Sequence, residues 1–327
     1  MTRSASRPPA DDHGAASPAH DHQAQDRHAH GHHAHGHEHQ GHEHHGHDHH
    51  ADDAVRDDEL AEMLDLDAAL FAPYIESVTA RIAHLAGGGG DVRHVVDLGS
   101  GTGTGTFALL ERFPRATVTA VDSSPTMLAR LVEAARAKGL GDRVRPLEAD
   151  AGAGLAGVED ADLVWASASL HHVDDPAAAL AGARAALRPG GLLAVAELDG
   201  LPRFLPDAGE EGGPGLEARC REAMDELHGE QVPHLGADWG QRLTEAGFTV
   251  EHEQTERLEL RAPLPEGVGR YARIVFSRIR GALEGRTAPA DLAGLDALLD
   301  GGPKDVRHRD DLVVRSVREL WVARRPS

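Results

Sequence analysis

The 327-residue chain carries 33 Lys and Arg against 54 Asp and Glu, a net charge of −21 with its 24 histidines neutral. That balance argues against a surface that tracks nucleic acid, because phosphate binding needs clustered Lys and Arg. The single cysteine, Cys220, excludes a disulfide framework and a thiolate metal site.

The length suits one large α/β domain with insertions, or a domain plus a small subdomain. No apolar run suggests a signal peptide or a membrane span, so the cytoplasm is the expected location. Residues 1–54 are low-complexity with little apolar content beyond alanine, and are predicted to be a disordered tail. Sixteen of the 24 histidines lie between His13 and His50. Imidazoles spaced like His28, His30, His32, His33, His35 and His37 can gather around a divalent transition metal such as Zn²⁺, Ni²⁺, Cu²⁺ or Co²⁺. A solubilising tail that binds metal only adventitiously is the equal alternative.

Residues 55–90 form a helical lead-in. Leu60, Met63 and Leu64 recur at helical spacing, as do Leu70, Tyr74, Ile75, Val78, Ile82 and Leu85, with Pro73 dividing the two runs. The glycines at 87–90 then join it to the first strand of a domain spanning 91–327. That strand, Val95-Val96-Asp97-Leu98, runs into Gly99-Ser100-Gly101-Thr102-Gly103. A buried strand that must turn at once into a helix beside a ligand is written this way, and the helix start offers free N–H groups. A nicotinamide fingerprint needs G-x-G-x-x-G. Counting from Gly99 the sixth position is Thr104, and from Gly101 it is Thr106, so neither register closes.

A second strand over 116–121 ends on Asp122, followed by Ser123-Ser124-Pro125 as the cap of a helix reaching Lys138. A third, over 143–149, leads to Asp150. The pattern D-x-G-x-G-x-G, with acids closing the next two strands, resembles the class I S-adenosylmethionine-dependent methyltransferases. The resemblance extends through a fourth strand at 161–166, Leu170-His171-His172-Val173-Asp174-Asp175-Pro176, a helix over 177–187, Arg188-Pro189-Gly190-Gly191 and a fifth strand at 192–198. It covers about residues 92–200 with specific motifs, and 201–327 only in outline.

The resemblance implies a Rossmann-like, doubly wound, seven-stranded sheet, mostly parallel, with the last strand (here 311–324) antiparallel between the fifth and the sixth (248–260). Two insertions, about 201–246 and 263–303, carry helices, the second at 268–283 and 292–299. It also implies S-adenosyl-L-methionine as cofactor and a small-molecule methyl acceptor. By the same resemblance Asp97, Gly99, Ser100, Gly101 and Gly103 hold the methionine end, Asp122 with Ser123 the ribose, and Asp150 with Ala151 the adenine, with Ser167 beside them.

Transfer from a sulfonium needs a general base only when the acceptor is protonated. His171 is the candidate, against a plainer role in shaping its loop. Glu197 and Asp199 point toward the acceptor side without completing a metal-ligand set. Arg203, His228, His234, Trp239, Tyr271 and Arg273 are further pocket candidates, for which packing is the plainer role. The rival reading is a metal-buffering or metal-sensing protein whose core binds the cofactor as a regulatory ligand.

Overall fold

The computed structural model describes residues 47–88, 91–155, 157–206 and 215–327. Seven strands form one sheet: β1 (His94–Leu98), β2 (Thr117–Asp122), β3 (Val144–Glu148), β4 (Ala161–Ser167), β5 (Leu187–Leu198), β6 (Thr249–Leu260) and β7 (Val314–Arg324). Their order is β3-β2-β1-β4-β5-β7-β6, with β7 antiparallel to both neighbours and the others parallel. The order reverses between β1 and β4, which opens a crevice at the carboxyl ends of those strands.

The central strands are continuously apolar because both faces are covered. Val95 belongs to one hydrophobic cluster and its neighbour Val96 to the other, and Leu163 and Val164 of β4 divide in the same way. On the first face lie α1 (His47–Leu70), α2 (Ala72–Leu85), α3 (Thr104–Arg112), α4 (Pro125–Ala137), α6 (Leu216–Gln231), α8 (Val268–Ala282) and α9 (Pro289–Leu299). On the second lie α5 (Pro176–Ala186) and α7 (Trp239–Glu245).

Local chemistry sets the helix starts. Ser124 accepts a hydrogen bond from the Met127 N–H with Pro125 in the first turn, and Asp175 caps Ala178 ahead of α5 in the same manner. Tyr74, Val78, Thr79 and Ile82 fall on one buried face of α2.

Three boundaries differ from expectation. The lead-in helix begins at His47, upstream of the tail boundary at 54; the Ala, Leu and Glu residues it contains favour helix against its many Asp. Strand β5 begins at Leu187, which pairs with Ala161 before a register shift; pairing resumes at Leu192. Arg188-Pro189-Gly190-Gly191 is thus a bulge within a strand, not only a helix stop. Strand β3 ends at Glu148, and Asp150 instead caps a short 3₁₀ turn through the Gly152 N–H. The candidate metal ligands His28 to His37 lie outside the described residues.

Candidate active site

The turn after β1 is held from below and covered from above. Gly99 and Ser100 donate their N–H groups to the Val121 carbonyl at 2.8 and 2.9 Å, fixing the turn to β2. Gly99 has φ +74°, and a Cβ there would sit 2.4 Å from the Ser169 Cβ, so only glycine fits. At Gly101 a Cβ would meet the Leu64 Cδ1 at 3.1 Å, which places α1 directly across the turn. Thr102 donates its hydroxyl to Asp65 Oδ1 at 2.7 Å and strengthens that closure. Gly103 is the residue before α3 and faces Leu131 and Phe107 instead of the cavity.

Asp97, 2% exposed at the end of β1, accepts the Thr106 hydroxyl at 2.5 Å. Burial pushes its carboxyl up to about 7, against the pull of the Thr106 hydrogen bond and with a smaller push from the Asp122 charge. A Cβ on Gly105 would lie 2.7 Å from the Trp165 indole nitrogen and 3.4 Å from Asp97 Oδ2. The Trp165 N–H is itself buried without a partner. These groups border a cavity of about 780 Å³, a volume typical of small-ligand sites. A buried acid, a backbone cradle and the free N–H groups opening α3 suit a ligand with amine and carboxylate character. S-adenosylmethionine therefore fits the residues present.

Asp97, Gly99, Ser100, Gly101 and Ser167 line this cavity together; Asp122, Ser123, Asp150 and Ala151 are not among its lining residues and lie at or just after the ends of β2 and β3. Asp122 accepts the Gly101 and Ser124 N–H groups at 2.8 Å each, one on either oxygen, and each oxygen keeps a lone pair for a hydroxyl. Asp150 is exposed. Ala168 adopts a left-handed conformation (φ +48°) in the cavity wall, held by its N–H to the Ala196 carbonyl. Such a strained residue persists only where its surroundings over-determine it.

His171 is 7% exposed, and its Nδ1 lies 2.5 Å from Glu197 Oε2. The other carboxylate oxygen accepts the Leu170 N–H at 2.9 Å. A carboxylate against Nδ1 places a ring proton there and fixes the imidazole. His171 is not among the residues that line the cavity. The neighbouring His172 is shifted down by burial and by the His171 ring, and His228 by burial.

Sequence reasoning missed the part of the wall where Asp67 of α1 and Arg318 of β7 meet. Arg318 Nη2 donates to Asp67 Oδ1 at 2.7 Å, and the Tyr271 hydroxyl donates to the same oxygen at 2.5 Å. Burial presses against the Arg318 charge, but Asp67 outweighs it and raises the guanidinium above its ordinary value. The available signal was a cation in the inward register of β7, between Ser316 and Leu320. Of the other candidates, Tyr271 reaches this cluster, Trp239 packs in the core, and Arg273 pairs with Asp305. Among the described residues no group of three or more His, Cys, Asp or Glu is placed to hold a metal.

The profile of the methyltransferase-domain family matches residues 96–193, which hold the glycine turn, the strand-end acids and the His171 loop. That match agrees with the resemblance of the segment to the class I S-adenosylmethionine-dependent methyltransferases. The chain is similar to trans-aconitate 2-methyltransferase of Acidovorax sp. (strain JS42), 38% identical over 146 residues, 42% of this chain and 52% of that protein. It is also similar to malonyl-[acyl-carrier protein] O-methyltransferase of Laribacter hongkongensis, 34% identical over 187 residues, 52% of this chain and 56% of that one. The chain thus spans about half the length of these curated relatives. Among solved structures, a Haemonchus contortus phosphoethanolamine N-methyltransferase 2 aligns with a TM-score of 0.45 at 18% identity, covering 78% of this chain and 53% of that one.

Proposed function

We propose that this protein transfers a methyl group from S-adenosylmethionine to an O, N or C atom of a small-molecule acceptor. The observation that carries this is one cavity lined by Asp97 and the glycine turn together with Asp67 and Arg318. Cofactor and acceptor can thereby share a space that α1 and α2 close to water. The relatives named for trans-aconitate and for malonyl-[acyl-carrier protein] support a small acceptor group.

The cofactor supplies an activated methyl group, so the chain's work is binding, alignment and exclusion of water. Asp97 would face the ammonium, the Ser100–Gly101 turn and the α3 N-terminus the carboxylate, Asp122 and Ser123 the ribose, and Asp150 with Ala151 the adenine. Ser167 would contact the cofactor from β4. His171, tied to Glu197 and set behind the wall, would hold the β4 loop in place; the geometry favours that role over direct proton abstraction. No described helix is long and apolar enough to cross a membrane.

Calorimetric titration of S-adenosylmethionine into the full chain and into Asp122→Ala is the deciding experiment. Micromolar binding is expected in the first and at least tenfold weaker binding in the second, with thermal melts verifying that both are folded. A folded wild-type protein that takes up no cofactor would remove this reading.

A further inference from the structure

We infer that Thr106 is a positioning residue of the cofactor site: its hydroxyl fixes the edge of the Asp97 carboxylate that meets the cofactor's ammonium. This rests on the cofactor placement of the methyl-transfer reading. Asp97 lines the cavity, whereas Thr106 is fully buried and does not. Thr106 therefore acts on a ligand only through Asp97. Its hydroxyl donates to Asp97 Oδ2 at 2.5 Å from the first turn of α3. A threonine within a helix commonly turns its hydroxyl back on the carbonyl of the preceding turn. At the start of α3 the preceding residues are the glycine turn, and the single hydroxyl proton goes to the strand-end acid instead.

A carboxylate with one oxygen held presents a fixed edge to its ligand, which a freely rotating one does not. The same bond opposes the cost of burial. Burial and the Asp122 charge on β2 disfavour the ionised carboxyl, while the Thr106 hydroxyl and backbone N–H favour it, and the carboxyl stands at about 7. Asp67, Glu76, Glu111, Arg112 and Arg318 border the same cavity from α1, α2, α3 and β7, but the hydrogen bond to Asp97 comes from Thr106.

A group balanced near neutral pH is the one most changed by losing a single hydrogen bond. Without the hydroxyl the folded pKa of Asp97 rises, so binding that needs the carboxylate moves to higher pH. The effect is confined to a ligand with an ammonium, because one without it has nothing for the Asp97 charge to meet. Loss of the hydroxyl and loss of the ammonium should therefore not add.

The test titrates S-adenosylhomocysteine, which keeps the ammonium, and its deaminated analogue, which lacks it, into the full chain from about pH 6 to about pH 9. Wild type should bind S-adenosylhomocysteine more tightly as pH rises through about 7, and the analogue weakly with little pH dependence. Thr106→Val keeps the shape and removes the hydroxyl. It should weaken S-adenosylhomocysteine binding roughly fivefold or more at neutral pH, raise the midpoint about one pH unit, and leave affinity for the analogue within about twofold. Thr106→Ser restores the hydroxyl and should return the midpoint to that of wild type. Thermal melts verify folding, and Thr106→Ala takes the place of Thr106→Val if the latter does not fold. The inference is overturned if a folded variant without the hydroxyl keeps wild-type affinity and midpoint, or if it loses affinity for both ligands in equal proportion. It is overturned equally if Thr106→Ser fails to restore the midpoint. Failure of wild type to bind S-adenosylhomocysteine would instead strike the cofactor reading on which it depends.

Discussion

In the proposed site Asp97 would meet the cationic end of the cofactor, yet it is buried where a carboxylate is disfavoured. Its folded pKa of about 7 lies above the ordinary 3.8, so its contribution to stability is full below about pH 4 and is lost as pH rises through 7. Without cofactor, wild type should therefore lose about 3 kcal/mol of stability between pH 5 and 8. Asp97→Asn should flatten that loss in chemical-denaturation curves measured across this range. The same ionisation is needed to meet an ammonium, so S-adenosylmethionine affinity should rise roughly tenfold from pH 6 to pH 8. Calorimetry on Asp97→Asn should find weak binding with little pH dependence. A second residue test concerns Gly105, whose missing Cβ leaves room beside the Trp165 indole. Gly105→Ala would put a Cβ 2.7 Å from the buried Trp165 indole nitrogen, so the indole must shift, and it should weaken cofactor binding at least tenfold with a measurable loss of thermal stability.

At the scale of elements, α1 is the part that makes a cofactor cleft into an enclosed site. Leu64 lies over Gly101, Asp65 takes the Thr102 hydroxyl, Asp58 pairs with Arg130 and Glu62 with Arg270. The pairs that include Glu62 and Asp58 are solvent-facing and contribute little each. The Thr102–Asp65 bond is better shielded. Thr102→Val should speed S-adenosylhomocysteine release about threefold to tenfold in stopped-flow displacement, with a stability change of about 1 kcal/mol. The amphipathic spacing of Leu60 to Leu85 announced helices here, because periodicity reports a buried face. It did not say that the face covers the glycine turn, because helix spacing carries no record of its partner. The β5 bulge was misread for a related reason: Pro-Gly-Gly ends a helix by local rules, and only the neighbouring β4 edge turns it into strand.

For the whole molecule, the sheet order places the β1–β4 crevice, the lead-in and β7 around one cavity. A chain lacking residues 1–46 should keep its melting temperature and its S-adenosylmethionine affinity. The full chain, but not this truncated one, should show strong Zn²⁺ uptake by calorimetry. Equal uptake by both would remove the tail histidines as ligands.

The sequence alone determined the parts whose signal is local. A glycine turn needs left-handed backbone, a cap needs its serine, and strand-end acids follow their strands, so Asp97, Gly99, Asp122 and the seven strands were all legible. The cluster of Asp67, Tyr271 and Arg318 was decided only by tertiary structure. Asp67 meets Tyr271 across 204 residues and Arg318 across 251, and no local spacing encodes an encounter of that range. What brings them together is the antiparallel insertion of β7 beside β5, with α1 and α8 packed on that face. The glycine turn and its strand-end acids are therefore written in short motifs, whereas the Asp67–Arg318 cluster exists only once the chain has folded.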